Sequence, residues 1–367
     1  MVAKDLHIKP FPEETLTKLE LFEKYLRGWL PVGIVNSRIK LANICDYFAG
    51  PGEDCNGVKG SPLRITQVVN DFTSLILKYK FRINVIVNEK KKLKFEQLKD
   101  RLDSEKKYLD HLSEYFNLIV YNSAFKELFF RQKSNLSNYF NFIFLDQNGV
   151  KEITEDIFLE LINLPRTDFM FFISSSVFKR FTEDKNFMRY FPDMDIEKIR
   201  KTNQVEMHRL ILEYYRDKIP VRSKVKLYPF TIKKGRNIYG LIFGSNHPLG
   251  VDKFLKIAWK KNELNGEANF DIDSDHQTKQ MILFGNRRLS KIEKFQTELK
   301  NLILSKDKIS NIEIYFFTLE CGHIVVHSLE VLKKLKSEGK INLFGHPNIS
   351  YNKCCKNVQL KYFKIIK

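Results

Sequence analysis

Residues 44–52, Ile44-Cys45-Asp46-Tyr47-Phe48-Ala49-Gly50-Pro51-Gly52, followed by Gly60-Ser61-Pro62, decide how this chain is read. Leu41 to Phe48 carries the apolar run of a buried parallel strand. Gly50 and Gly52 then remove side chains where the backbone must turn sharply and approach a ligand closely. Asp46 puts a carboxylate at the strand's C-terminal end, where it suits the ammonium of S-adenosylmethionine (SAM) and repels a pyrophosphate. That contrast favours SAM over NAD. The simpler alternative is a strand turn with glycines for geometry and Asp46 capping the next segment.

Working outward, Leu16, Leu19, Phe22, Leu26 and Trp29 recur at helical spacing, which predicts an amphipathic helix over Glu13 to Trp29. Pro62 to Lys80 reads as one long helix with Ser61 as N-cap, and Arg82 to Val87 as a second strand ending in Asn88-Glu89. An acidic residue at the second strand's tip is the usual acceptor for ribose hydroxyls. Glu89 follows Asp46 by about twice the spacing of a simple dinucleotide fingerprint, so an insertion carrying Gly60-Ser61-Pro62 is required. The alternative for Glu89 is a solvated strand end beside Lys90-Lys91-Lys92. A charged helix is predicted from Lys90 to Leu112, then strands at Phe116–Tyr121, Phe140–Leu145, Phe169–Ile173, Lys224–Thr231 and Tyr239–Gly244. Strands alternating with helices indicate a mostly parallel, doubly wound α/β sheet whose ligands sit at the C-terminal strand ends. Asp46, Glu89, Asn122 and Asp146 all fall at such ends. The predicted cofactor residues are Asp46, Phe48, Gly50, Gly52, Glu89 and Asn122.

The polar stretch from Asn262 to Lys279 reads as a linker. Beyond it, helices are expected over Ser290–Leu304 and Val326–Ser337, the second closed by Glu338-Gly339-Lys340-Ile341 with Gly339 as C-cap. A helix carrying Lys333, Lys334 and Lys336, followed by Lys340 and a polar wing, resembles a winged-helix module able to lie on a nucleic-acid groove, in DNA or RNA. A small helical cap with solvated lysines, or a protein-docking unit, would show the same pattern. The implied organisation is an N-terminal helical segment (1–40), a Rossmann-like domain (41–262), a linker (263–280) and a basic winged-helix-like module (281–367).

A formal net charge of +18 points to a polyanionic partner. Residues 281–367 hold 16 Lys/Arg against 7 Asp/Glu, so the excess is concentrated in the C-terminal quarter. No uncharged apolar run is long enough to span a bilayer, and MVAKDLHIKPFPEE lacks the apolar core of a signal peptide, so a cytoplasmic protein without membrane contact is expected. Cys45, Cys55, Cys321, Cys354 and Cys355 form an odd set with no CxxC pair, which argues for reduced thiols and no metal. The grouping of Cys321, His323 and His327 would need further ligands to hold a metal, and Cys354-Cys355 beside Lys353 and Lys356 reads as surface thiols. No Pro-Cys pair is present for cytosine C5 methylation, and Gly235 and Gly244 lack the Lys-Ser/Thr of a P-loop.

The chain resembles the three-Cys-motif partner (TcmP) family. The resemblance rests on Thr15-x-x-Lys18 with Tyr25 to Trp29, the DYFAGPG turn, GSPL at 60–63 and FLDQNG at 144–149. It continues through IYGLIFGSNHPLG at 238–250 and the Gly-Lys-Ile ending at 339–341, and so covers nearly the whole chain. It implies a class I SAM-methyltransferase domain of Rossmann-like fold, a C-terminal winged-helix-like region, and a three-Cys-motif partner of radical-SAM-like iron-sulfur character. Where related proteins read Asp-Pro-aromatic-Gly, this chain reads Asp146-Gln147-Asn148-Gly149. In amino-directed nucleic-acid methyltransferases the corresponding segment accepts hydrogen bonds from the exocyclic amine and stacks a ring on the extruded base. Asp146 and the Gln147 carbonyl retain the acceptors, but Asn148 supplies no ring. Loss of stacking forfeits roughly 1–3 kcal/mol, which Phe125, Phe171 or Phe178 would have to replace. Two expectations follow: a SAM-dependent methyltransferase acting on a nucleic-acid base through Asp146, Gln147 and Asn148, or an inert methyltransferase fold that binds nucleic acid and recruits its partner.

Overall fold

The computed structural model describes residues 9–147, 149–180, 190–234, 237–274, 289–343 and 345–366. The chain divides into two compact units between Asn246 and His247. The first unit runs α1 (Glu13–Val35), β1 (Leu41–Asp46), α2 (Ser61–Asp71), α3 (Thr73–Tyr79), β2 (Arg82–Asn88), α4 (Lys92–Lys106), β3 (Phe116–Tyr121), α5 (Phe125–Leu136) and β4 (Phe140–Leu145). It continues with α6 (Glu155–Asn163), β5 (Thr167–Ile173), α7 (Ser175–Arg180), α8 (Ile196–Lys201), α9 (Met207–Asp217), β6 (Lys226–Lys234) and β7 (Asn237–Ser245).

These strands form a seven-stranded sheet ordered β3-β2-β1-β4-β5-β7-β6. β1 to β5 are parallel, while β7 runs antiparallel to both β5 and β6. The order reverses direction between β1 and β4, which opens a crevice at their C-terminal ends. This is a doubly wound, Rossmann-like sheet with an antiparallel edge pair.

A one-way chain of side-chain hydrogen bonds fixes the parallel register. Asn117 donates to Asn84 (3.5 Å), Asn84 to Asn43 (3.0 Å), Asn43 to Asn141 (2.9 Å) and Asn141 to Thr167 Oγ1 (2.9 Å), crossing β3, β2, β1, β4 and β5. The Thr167 hydroxyl then donates to the Pro165 carbonyl (3.0 Å). These residues are direct partners in the strand pairings. A one-residue slip would break the ladder and leave amides buried without partners.

α1 covers one face of the sheet because its apolar stripe is aromatic. Trp29 stacks on Phe140 (4.1 Å between centroids, 9° between planes), Phe22 lies 4.4 Å from Phe144, and Tyr25 contacts Phe142 and Phe243. The Tyr25 hydroxyl donates to Asp168 Oδ2 at 2.6 Å. Tyr25 thereby satisfies its polar tip while its ring packs.

The helix expected over Pro62–Lys80 is two helices. The break falls at Phe72, where the Thr73 hydroxyl bonds the Asn70 carbonyl (2.7 Å) and the Phe72 N–H turns back to the Val69 carbonyl (3.1 Å). Gly60, not Ser61, is the N-cap, and Ser61 is the first helical residue. The charged helix after β2 ends at Lys106 and tightens into a 3₁₀ turn over Lys107–Leu112.

The second unit comprises α10 (Pro248–Lys261), α11 (Lys291–Leu304), β8 (Lys308–Ser310), α12 (Asn311–Glu320), α13 (Val325–Ser337), β9 (Ile341–Asn342) and β10 (Tyr362–Ile365). The strands form an antiparallel sheet ordered β8-β10-β9. Three helices followed by a strand pair joined across a long loop make a winged helix. Capping boxes at Ser290/Glu293 and Ser310/Glu313 start α11 and α12. Gly339 (φ 68°) ends α13, with the Lys340 N–H bonded to the Leu335 carbonyl at 2.9 Å.

The expected boundary at 262 is displaced, because α10 belongs to the second unit: Trp259 donates to the Gly322 carbonyl (2.9 Å) and packs on His323 and His327. Residues 263–274 are also folded rather than linker. Asn265 and Ala268 are fully buried, and the Asn262 amide holds the Ala268 and Phe270 carbonyls. The remainder of the expected linker, from 275, lies outside the described residues.

Candidate active site

The turn after β1 is built around close backbone approach. Gly50 and Gly52 have φ of 63° and 96°, values that L side chains rarely adopt. The Gly60 N–H bonds the Gly52 carbonyl at 2.7 Å, and a Cβ on Gly60 would stand 2.8 Å from that oxygen. Residues 53–59 are therefore a closed excursion, organised by Asp54, whose carboxylate accepts the N–H groups of Asn56 and Val58 (2.9 Å each) and of Phe11 (2.6 Å).

Buried Asn88 joins three strand ends. It donates to the carbonyls of Tyr47 and Ser123, accepts the Ser123 N–H (3.1 Å each), and its own carbonyl receives the Ala49 N–H (3.0 Å). The Glu89 carboxylate accepts the Gly50 N–H (3.1 Å) and the Lys91 N–H (2.7 Å), which fixes it beside the glycine turn.

These loops enclose a cavity of about 380 Å³, within the range of small-molecule sites. Phe48, Gly50, Gly52, Glu89, Asp146 and Gln147 line it. The N-terminal segment closes another side with Phe11, Thr15 and Lys18, and Phe125, Phe172 and Tyr239 contribute rings.

Asp46 is fully buried and is not among the lining residues, so its expected direct exposure to a ligand is corrected. Its Oδ1 accepts the Phe48 N–H at 3.2 Å. Oδ2 has no well-formed hydrogen bond, the Ser61 hydroxyl standing near enough to favour the charged form but outside bonding geometry. Burial pushes the carboxyl up to about 7 against the pull of Ser61 and Phe48; Asp146 pushes further and Lys18 opposes.

Gln147 is also buried, with Oε1 receiving the Glu152 N–H (2.8 Å) and Nε2 left without a partner. Asp146 Oδ2 forms an ion pair with Lys18, whose ammonium lies 4.7 Å from the Phe172 ring centroid. Phe172 in turn stacks with Tyr239 (5.7 Å, 17°). The unpartnered amide nitrogen of cavity-lining Gln147, a glycine turn held by close backbone approach, and mixed charge over apolar rings suit a ligand with a cationic amino-acid end and a planar end. SAM fits this donor and acceptor set.

The structure thus brings together six of the predicted residues, with Asp46 buried at the end of β1. Asn122 does not join them. It is exposed, and its amide donates to the Glu89 (2.7 Å) and Lys90 (3.0 Å) carbonyls, pinning the loop that presents Glu89. Asn148 lies outside the described residues. Of the rings offered as substitutes, Phe171 and Phe178 are core residues; Phe171 packs on Phe158 and Tyr215. Strand alternation puts the neighbouring Phe172 on the opposite face. Lys18, Asn88, Phe172 and Tyr239 were missed. Lys18 left a readable signal, since it shares a helix face with Phe22, Tyr25 and Trp29 at positions i+4, i+7 and i+11. A lysine inside an apolar stripe needs a partner.

In the second unit Lys333, Lys334 and Lys336 are exposed on α13, while Lys340 is paired with Glu338 at 2.7 Å. His323 and His327, expected only as weak metal ligands, face each other through Nδ1 atoms 2.9 Å apart, among Trp259 and Phe295. Burial first, then Lys291, lowers both imidazoles, to about 2 for His323 and about 4 for His327. One neutral ring donates to the other. Cys354 is buried rather than a surface thiol, and burial raises the pKa of both Cys354 and Cys355. Among the described residues no helix is long and apolar enough to cross a membrane.

Comparison with known proteins gives a match to the family model of the GMT-like wHTH domain over residues 271–347. No curated protein matches the sequence. Among solved structures, the chain is similar to Trm1 from Pyrococcus horikoshii in complex with S-adenosyl-L-methionine, at 10% identity and a TM-score of 0.35, over 67% of this chain and 59% of that one. It therefore spans less than two thirds of that relative. The METTL16 methyltransferase domain aligns at 12% identity and a TM-score of 0.31, over 60% of this chain and 66% of that one. A human methyltransferase 10 domain containing protein aligns at 11% and 0.29, over 65% and 86%.

Proposed function

We propose that this chain is a SAM-dependent methyltransferase acting on an exocyclic amine of a nucleic-acid base, and a three-Cys-motif partner family member that works with a radical-SAM-like iron-sulfur protein. The observation that carries the reading is the cavity at the β1/β4 crevice, where the glycine turn, Glu89 and Asp146 converge above buried Asp46. Bound there, SAM would supply an electrophilic methyl group. Buried Asp46 would support the turn through the Phe48 N–H, and Glu89 would hold the ribose hydroxyls with lone pairs left after its two backbone bonds. Asp146 would accept a hydrogen bond from the target amine through Oδ1, which is free of hydrogen bonds among the described residues, and so orient the nitrogen lone pair. Positioning and exclusion of water would provide most of the rate. The exposed lysines of α13 would hold the phosphate backbone, as the winged-helix match supports.

A specific observation favours the second reading, a nucleic-acid-binding protein with a silent site: Asp146 is already engaged by Lys18. Calorimetric titration of SAM and S-adenosylhomocysteine into the full chain, followed by methyl transfer to DNA and RNA pools, tests both. Micromolar binding with base methylation upholds the enzyme. Salt-dependent nucleic-acid binding without SAM binding by folded protein would sink it in favour of the second.

A further inference from the structure

The ion pair between Lys18 and Asp146 raises a problem of charge. Lys18 comes from α1, its side chain is 9% exposed, and it touches the Phe172 ring face. It sits with two carboxylates, since both Asp146 and Lys18 act on the charge of Asp46. The other described cations that line the cavity are placed elsewhere in the fold: Lys90, Lys91 and Lys94 follow β2, and Lys126 follows β3 and pairs with Asp156 at 2.6 Å. A zwitterionic amino-acid end brings an ammonium and a carboxylate together. The carboxylate would be repelled by Asp146 unless it met a cation, and at the β1/β4 end of the cavity that cation is Lys18.

We propose that Lys18 is shared: it holds Asp146 before the cofactor enters and turns to the carboxylate of the amino-acid end when it does, releasing Asp146 for the target amine. This inference rests on the reading of the cavity as a SAM site. It makes Lys18 a cofactor-reading and positioning residue, and it orders binding, because a target amine gains full use of the Asp146 carboxylate only after the cofactor is in place. A buried ion pair is held in one geometry, so redirecting one partner alters the other directly. The arrangement also accounts for an otherwise unfavourable lysine within an aromatic stripe.

The test compares SAM with decarboxylated SAM, which keeps the ammonium and lacks the carboxylate, by calorimetry on the full-length wild type, Lys18→Met, Lys18→Arg and Asp146→Asn. The readout is the ratio of the two dissociation constants, in which general damage to the cavity cancels. Wild type is expected to favour SAM by about tenfold, the scale of one charge-assisted contact. Lys18→Met should bring the ratio close to one, Lys18→Arg should largely restore it, and Asp146→Asn should raise it above wild type by removing the competing carboxylate. A ratio unchanged in Lys18→Met, or one that fails to rise in Asp146→Asn, overturns the sharing while leaving the SAM site intact. Absence of SAM binding by folded wild type overturns the cofactor reading, and this inference with it.

Discussion

Asn43 and Asp46 lie three residues apart on β1, both fully buried, and their surroundings differ completely. Asn43 donates to Asn141 and accepts from Asn84, within a ladder that runs through five strands. Asp46 has one carboxylate oxygen without a well-formed bond, and Gln147, just past β4, has a buried amide nitrogen without a partner. Burying polar groups is tolerated when they are paired and costly when they are not. Paired groups on these strands serve the fold. At the C-terminal ends of β1 and β4, Asp46 Oδ2 and Gln147 Nε2 are left outside such a ladder, and Gln147 lines the cavity.

That contrast can be broken most forcefully at the ladder. Asn141 contacts Asn43, Thr167 and the carbonyls of Leu136 and Tyr139, so Asn141→Ala is expected to lower stability by about 3 kcal/mol. Chemical denaturation measures this. Residual folded Asn141→Ala should bind SAM normally, and a variant that keeps its stability but loses the ligand would erase the distinction between the two ends.

Asp46→Asn should act through the carboxyl's proton instead, without loss of stability at pH 8. The sign follows from linkage. Folded Asp46 keeps its proton up to about 7, whereas the unfolded chain releases it near the ordinary carboxylate value of about 4. Between those values the folded state binds more protons, so wild-type stability declines through this group as pH rises from about 4 to 7 and levels off above. Denaturation of wild type and Asp46→Asn at pH 5 and 8 should show their difference moving in favour of the variant. A constant difference would mean that Asp46 is not held protonated.

The second unit sharpens the comparison because its charges are exposed. Replacing Lys333, Lys334 and Lys336 together by Gln should cost about tenfold in nucleic-acid affinity and reduce the salt slope by about two to three, with little change in melting temperature. An unchanged slope would remove α13 from the interface. The buried His323 and His327 give the smallest effect. Both are neutral in the fold and take up protons near 6.5 when unfolded, so their contribution is complete above about 6.5 and lost as pH falls towards 4. Lowering the pH from 7 to 6 should cost about 1 kcal/mol, and His327→Phe should lessen that dependence. A pH profile unaltered by the substitution would show that the pair does not titrate as described.

The strands of the sheet, the glycine turn and the Gly339 helix stop were legible because each depends on local pattern: apolar runs, conformational freedom at glycine, and period-two or period-3.6 spacing. The same patterns misjudged the helix break at Phe72, where the Thr73 hydroxyl competes for a backbone carbonyl, and the linker after Asn262, whose polar composition concealed amides bonded to carbonyls. Asn122 was placed correctly at a strand end and still misjudged, since position along a strand does not tell whether an amide meets a ligand or a neighbouring loop.

By itself the sequence determined the seven strands of the large sheet, that Asp46, Glu89 and Asp146 fall at C-terminal strand ends, and that the C-terminal quarter is basic. These follow from side-chain periodicity and composition, which act over a few residues. The tertiary structure alone decided that Lys18 pairs with Asp146 across 128 positions, that Phe172 rather than Phe171 faces the cavity, and that the asparagines of four strands form one ladder. Those outcomes depend on sheet order and register, set by the burial of whole faces rather than by any local stretch.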